Sequence, residues 1–497
     1  MKKSKLFIII YLSVLVITII VSGTYALYKA QLSKNIGVNT TTHGLAYYIN
    51  YVKGADITAA TLNPSTSYEG GASSNIEFWK KDDSYDIYGK IELTVNTIGT
   101  NLSNSPAIKY AVVNNGNVLK EGSLKGTTSG SKVTILKNLY LEQTKQIYTV
   151  YVWLDNGEEL GNISNESLSI SVDCTASLQK ETAASYITSL YTNASKTQAT
   201  NNSITYNTAP SVSLMNDRLG GTTTDLDGGN IRYYGTSPNN YIYFNCSDYS
   251  NQTSSTCETW RIIGVFDGKL KLIRGSQIEK LAWDQDKNDD SSKTTYDNDW
   301  STATLQKLLN ESYYNGSGTI TYYSDASGTT TTSLNMTNIG IKNDTTRNMI
   351  AETTYYLGGW NTNQVYPDQI YGYERGTTVY TGRPTTWTGK IALAYPSDYG
   401  YAVDLNQCKD KTLDYYNDST CTSNNWMKAI LSRGWLLTPY SGSSYGAWYV
   451  NFDGLVNNQS RAGASNAVGV TSVLSLSSKL GIESGDGTSG SPYKLSA

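Results

Sequence analysis

The residues best suited to chemistry lie near the C-terminal end, where Trp448, Val450 and Phe452 alternate with Tyr449, Asn451 and Asp453 ahead of Gly454. Successive side chains of a strand point to opposite faces, so the first three form a core side and the second three an outer side. Tyr440, Tyr445, Asn457 and Asn458 flank that outer side. Flat apolar rings beside amide and carboxylate groups suit sugar hydroxyls or a peptide surface, and an inert solvated surface is the competing reading.

Metal chemistry has one candidate, the run Trp283-Asp284-Gln285-Asp286-Lys287-Asn288-Asp289-Asp290. Asp284, Asp286, Asn288 and Asp290 alternate as hard-ion ligands would, and calcium is the cofactor they suggest. The EF-hand pattern fails, because Asp289 stands where Gly is required and Thr295 where the bidentate Glu belongs. An acidic solvated loop is the favoured reading. Catalysis is equally constrained: His43 is the one histidine of the chain, so neither a Ser-His-Asp nor a Cys-His arrangement can be assembled around the other candidates. Asp398, Asp404, Glu352 and Glu374 lie in aromatic surroundings and could supply a glycosidase pair, but no spacing singles one out. No enzyme is the expectation.

The address comes from the first residues. Met1-Lys2-Lys3-Ser4-Lys5 runs into an apolar stretch from Leu6 to Val21 and then Ser22-Gly23-Thr24-Tyr25-Ala26, the pattern of a secretory signal. A retained membrane anchor is the alternative, since the stretch approaches the ~20 residues a membrane span needs. Either way the rest of the chain faces the exterior. Of 497 residues 16% are charged, against about 25% in ordinary globular proteins, and the net charge is -3. Without a basic patch, nucleic acid is not an expected partner. Tyrosine outnumbers phenylalanine 41 to 5, which fits either a ligand-contacting exterior or a strand-rich fold. In an oxidising exterior Cys246 with Cys257, and Cys408 with Cys421, read as local disulfides worth roughly 2 to 4 kcal/mol each. Cys174 is left over. The Cys408 and Cys421 pair also bears on formylglycine-generating chemistry, which uses reactive cysteines, but its bracketing of a Tyr- and Asp-rich loop favours a structural disulfide.

The elements that must position these groups fall into a β-sandwich at 28–175, a helix and linker at 176–210, and a second domain at 211–497, after a signal or anchor at 1–27. In the first, Asn115-Gly116 between alternating flanks marks a two-residue hairpin, and strands are expected at 87–95, 132–136, 147–154 and 168–172. The connector holds one amphipathic helix over 177–191 and a polar linker over 193–207, in which Ile204-Thr205-Tyr206 could dock as a strand. In the second domain Asp267-Gly268 and Asp453-Gly454 mark hairpins of the same type. A helix is expected over 300–314 with Ser301 as its cap, and a last strand carries Val468, Val470, Ser472, Leu474 and Leu476.

Two resemblances add to this. Ser22-Gly23-Thr24-Tyr25-Ala26-Leu27-Tyr28, Tyr148-Thr149-Val150-Tyr151-Val152-Trp153-Leu154-Asp155-Asn156-Gly157 and Leu168-Ser169-Ile170-Ser171-Val172 resemble the camelysin and TasA-type biofilm matrix proteins of Gram-positive bacteria. That resemblance implies an exported jelly-roll domain and, in the family, fibres built when an N-terminal segment adds a strand to its neighbour. Trp260-Arg261-Ile262, Trp300-Ser301 through Leu305 to Tyr313-Tyr314, and Trp435-Leu436-Leu437-Thr438-Pro439 resemble an uncharacterised family of bacterial surface domains. The closing part of that match is similar to the ligand-binding end of C-type-lectin-like domains, although Thr471-Ser472 stands where relatives place Arg-Pro. The expectation is a mainly β protein, a jelly-roll sandwich followed by an α+β C-type-lectin-like domain. It would bind an extracellular glycan or a host or matrix protein at the cell surface, as an adhesin does. The alternative is a matrix-fibre subunit that forms homo-oligomers by strand addition.

Overall fold

The computed structural model describes residues 48–163, 165–218, 226–284, 297–323, 330–457 and 468–496. The signal or anchor segment, His43, Asp286, Asn288, Asp290 and Asn458 lie outside the described residues. The chain is mainly β, in several largely antiparallel sheets, and divides into two compact units between Glu181 and Thr182.

Among the described residues the first unit has ten strands: β1 (Ile49–Val52), β2 (Ile57–Thr58), β3 (Pro64–Ser65), β4 (Ala72–Lys80), β5 (Tyr88–Ile98), β6 (Ile108–Asn114), β7 (Asn117–Ser123), β8 (Lys132–Tyr140), β9 (Ile147–Asp155) and β10 (Leu168–Ser177). One sheet has the order β1-β4-β9-β6-β7 with β3 paired to β9, and the other β2-β10-β5-β8. Strict alternation produces this. Along β5, Ile91, Leu93 and Val95 are buried while Lys90, Glu92 and Thr94 face outward, and Ile76, Phe78, Val150, Val152, Ile170 and Val172 complete one core between the sheets. The β6–β7 turn has positive φ at both Asn115 and Gly116, the geometry that favours this dipeptide. Cys174 is buried on β10 in that core.

The second unit begins where a linker was expected. Helix α1 (Ala183–Asn193) has a capping box between Thr182 and Ser185 and packs Ala183, Ala184, Ile187 and Tyr191 into the second core. The polar stretch behind it forms a hairpin, β11 (Thr197–Asn201) and β12 (Ile204–Ala209), so the 176–210 connector belongs to the second unit from Thr182 onward. Its Thr- and Asn-rich composition hid a strand whose outer face meets water. The chain continues through β13 (Leu214–Asn216), β14 (Ile231–Tyr233), β15 (Tyr241–Phe244), β16 (Glu258–Phe266) and β17 (Lys269–Arg274). The large sheet runs β11-β12-β13-β14-β16-β17, then Val473–Ser475 and Ile391–Ala392, with β15 also paired to β16. Asp267 and Gly268 both have positive φ in the β16–β17 turn. Two short helices, α2 (Pro367–Glu374) and α3 (Pro396–Tyr401), and the strands β18 (Gly434–Pro439), β19 (Ala447–Val450) and β20 (Val456–Asn457) contribute buried residues to a further core of this unit, separate from the one that α1 packs into. Cys246–Cys257 and Cys408–Cys421 are disulfides.

Three local expectations need correction. The helix expected over 300–314 is α-helical at Thr304–Lys307 and widens into a π-helix at Leu308–Tyr313. Ser301 does not cap it; the Ser301 hydroxyl donates to Asp299, and the Thr304 N–H donates to Asp284 Oδ1 at 2.9 Å. The last strand is two, Val468–Gly469 in the smaller sheet and Val473–Ser475 in the larger, with every residue from 468 to 476 buried. A segment buried all round has no outer face for alternation to mark. The turn at Asp453-Gly454 differs from the other two hairpins, with five residues between Val450 and Val456 and positive φ at Gly454 alone of that pair. Because β19 stops at Val450, Phe452 leaves the core side and is 70% exposed.

Candidate functional site

The outer-face residues separate into two groups. Pro439 pairs with Ala447 at one end of β18–β19 and Gly434 with Val450 at the other, so Tyr440 and Tyr445 lie in the loop at one end, and Asn451 and Asp453 in the turn at the opposite end. Four strand residues separate the ends by about 10 Å. Between them Tyr449 pairs across the strands with Asn457, and its ring packs edge-on against Trp435 with centroids 6.0 Å apart. Burial raises the Tyr449 pKa above its ordinary value. In the turn, the Asn451 N–H donates to the Leu455 carbonyl at 2.8 Å and Asp453 accepts from the Leu455 N–H at 3.3 Å.

The loop end is the better-constructed surface, and its anchors were not visible as such. Asn298 is buried and donates through Nδ2 to the carbonyls of Tyr440 at 2.9 Å, Ser443 at 3.1 Å and Gly446 at 2.8 Å. Its Oδ1 accepts from Arg383 Nε at 3.2 Å, while Arg383 Nη2 donates to the Ser444 carbonyl at 3.1 Å. A second segment joins them. Trp360 bridges Tyr440, and the Ser441 N–H donates to the Trp360 carbonyl at 3.3 Å. The preceding Gly359 lies so close that a Cβ there would stand 2.2 Å from the Pro439 carbonyl oxygen. The Gly359 N–H in turn donates to Thr378 at 2.8 Å, which draws the 378–383 loop alongside. Trp360 stacks on Tyr373 with centroids 3.8 Å apart and rings parallel within 1°. Tyr380 and Tyr445 are each 39% exposed on this cluster. The sequence signal that could have found it is the aromatic run Tyr355, Tyr356, Trp360, Tyr366, Tyr371, Tyr373 and Tyr380, interrupted by Gly358-Gly359.

The remaining candidates are engaged elsewhere. Asp284 is buried, and its carboxylate accepts from the N–H groups of Asp297 and Thr304, so it holds a loop and a helix start. Among the described residues no group of three or more His, Cys, Asp or Glu side chains converges as a metal site would. Of the four carboxylates, Glu352 is exposed and Asp404 accepts from the Asn406 N–H at 2.9 Å. Glu374 and Asp398 are 0% and 1% exposed. Burial pushes the Glu374 pKa up to about 7, against the opposing pull of Arg375 and the Ser397 hydroxyl, which donates at 2.6 Å. Asp398 accepts from Lys271, from Arg232 Nη1 at 3.0 Å and from the Tyr395 N–H at 3.0 Å, and the two cations hold its carboxyl below the usual range against the cost of burial. Neither side chain meets solvent, so this pair cannot reach a sugar.

No family model and no curated protein matches this chain. Solved structures with some similarity include the HCR/D F1240A mutant, at 12% identity over 52% of this chain and 76% of that one, with a TM-score of 0.16. The receptor-binding domain of botulinum neurotoxin mosaic serotype C/D aligns at 11% identity over 51% and 74%, with a TM-score of 0.15. The PBCV-1 virus capsid aligns at 9% over 92% and 88%, with a TM-score of 0.13. Likeness at that level carries no argument about this chain.

Proposed function

We propose that the protein is an exported cell-surface binding protein, adhesin-like, whose second unit captures an extracellular glycan or protein ligand on the cluster of Trp360, Tyr380, Tyr440 and Tyr445. The C-type-lectin-like arrangement expected from the sequence is part of this reading. One observation carries it: exposed Tyr445 sits on a loop whose carbonyls are already bound by buried Asn298 and by Arg383, and exposed Tyr380 sits on the loop whose Thr378 carbonyl is held by the Gly359 N–H. Rings held before the ligand arrives lose little freedom on binding, and each offers an apolar face with a polar tip. The test is a glycan and matrix-protein array probed with the full chain, with and without chelator. Saturable capture that Tyr380→Ala with Tyr445→Ala lowers at least about tenfold, or about 1.4 kcal/mol, supports the reading. Capture unchanged in that double variant sinks the site, and a silent array sinks the function. Loss of capture with chelator would bring calcium into the reading, and unaffected capture would remove it.

A fibre subunit remains the second reading because, among the described residues, β7 is a sheet edge that exposes Val118 and Leu119. An open edge with apolar side chains is a template for strand addition from another copy. Fibres that vanish when Val118 and Leu119 are replaced by Lys would favour it.

A further inference from the structure

One group of side chains has no part in the binding surface. Lys271 on β17 and Asp398 on α3, 127 residues apart in sequence, meet inside the second unit with Nζ against Oδ2. Both are buried, and the Tyr395 and Phe266 rings lie 4.6 and 5.1 Å from the amine. Arg232 contacts the other oxygen, Oδ1, through Nη1 at 3.0 Å and is itself paired with Asp217 through Nε. The Lys271–Asp398 charges can therefore both disappear and leave Arg232 neutralised. An ionised pair in such surroundings is costly to keep dry, and burial draws the Lys271 pKa below its ordinary value; Arg232 and Lys271 hold the Asp398 carboxyl low as well, so the neutral amine and acid are a minor state reached through the direct Nζ–Oδ2 contact.

We propose that Lys271 and Asp398 are a self-modification site, joined in the mature protein by an intramolecular amide bond. The pair folds as ammonium and carboxylate. Transfer of one proton from Nζ to Oδ2 across their contact gives amine and carboxylic acid. The Nζ lone pair then attacks Cγ; the Nζ–Cγ bond forms, and the electrons of the Cγ–Oδ1 double bond move onto Oδ1, where the Arg232 guanidinium stabilises the developing charge. On collapse the Cγ–Oδ2 bond breaks, and Oδ2 leaves with its own proton and a second from Nζ. One water is released, nothing is oxidised or reduced, and no co-reactant is needed. Oδ1 stays on Arg232 as the amide oxygen.

The experiment is a tryptic digest of the full chain after reduction and denaturation, read by mass spectrometry. The expected product is a branched peptide in which residues 270–274 are joined to residues 391–409, lighter than the two together by one water and uncleaved after Lys271. Recovery of the two segments only as separate peptides, cleaved after Lys271, overturns the proposal. Lys271→Arg should abolish the branched peptide, and its persistence in that variant overturns the assignment to this pair. The wild-type digest reads the bond in unfolded peptides, so a variant that fails to fold does not remove the test.

Discussion

The two units solve the same problem, the satisfaction of buried backbone, by different means. In the first, strands of seven to eleven residues supply long ladders, and ion pairs such as Lys53–Asp173 at 3.1 Å and Lys90–Glu92 at 2.7 Å decorate outward positions. In the second, many strands have only two to six residues, so much of the backbone has no ladder partner. Side chains take that place. Asn310 donates to the Ile391 carbonyl at 2.8 Å and accepts from the Ile391 N–H at 3.0 Å. Asn245 likewise donates to Gly340 at 2.9 Å and accepts from Lys342 at 2.8 Å, and Asn298 holds three carbonyls. Asparagine has a donor and an acceptor on one short stem, which is what an unladdered segment needs. At these positions asparagine, a residue more often found exposed, serves the interior.

If the second unit depends on buried polar groups, its stability should respond to their titration. Glu374 has the largest consequence. Its folded pKa, about 7, lies above the ordinary 4.5, so between those values the folded chain holds a proton that the unfolded chain releases. The unfolded state binds fewer protons there, and stability falls as pH rises through the window, by about 3 kcal/mol in all. Urea unfolding followed by tryptophan fluorescence reports chiefly on this unit, because eight of the ten tryptophans lie beyond residue 182. Glu374→Gln should flatten the slope. A slope that survives the substitution assigns the dependence to another group.

Asn298→Ala tests the same contrast without a charge. It leaves the carbonyls of Tyr440, Ser443 and Gly446 without their shared donor, and the expected loss is about 1–3 kcal/mol. Amide exchange should quicken across 440–446 while β6 and β9 keep their protection. Equal quickening in both units would erase the distinction between ladders and side-chain anchors.

What the sequence disclosed follows the same division. In the first unit the strands that were legible, such as β5, β9 and β10, alternate between a wetter and a drier face, so Ile91, Leu93 and Val95 announce β5; β4, which alternates as well, was not read. The Asn115-Gly116 and Asp267-Gly268 hairpins were legible because their turns require positive φ at both positions. Of the β11–β12 hairpin, Ile204-Thr205-Tyr206 signalled β12, whereas β11 was missed because Thr197, Gln198, Thr200 and Asn201 look like linker residues; Phe452 was misplaced because alternation says nothing about where a strand stops. The two local disulfides were readable from spacing. Asn298, Arg383 and Gly359 were not, since their partners lie tens of residues away and carbonyl capture leaves no periodic trace. Asp284 shows the converse: a carboxylate in an acidic run, read chiefly as part of a solvated loop with calcium as the other candidate, is buried and spends both oxygens on backbone N–H groups.

The smallest effect is the sharpest control on the comparison. Lys53 meets Asp173 at 3.1 Å on the outer face of the first unit, with both side chains partly open to water. Such pairs gain little, because solvent screens the attraction and ordering two side chains costs entropy. Lys53→Ala should therefore change stability by less than about 1 kcal/mol, with the difference shrinking further in salt. A loss as large as that of Asn298→Ala would mean that the first unit also rests on side-chain pairs rather than on its ladders. The contrast between the units would then be one of strand length alone.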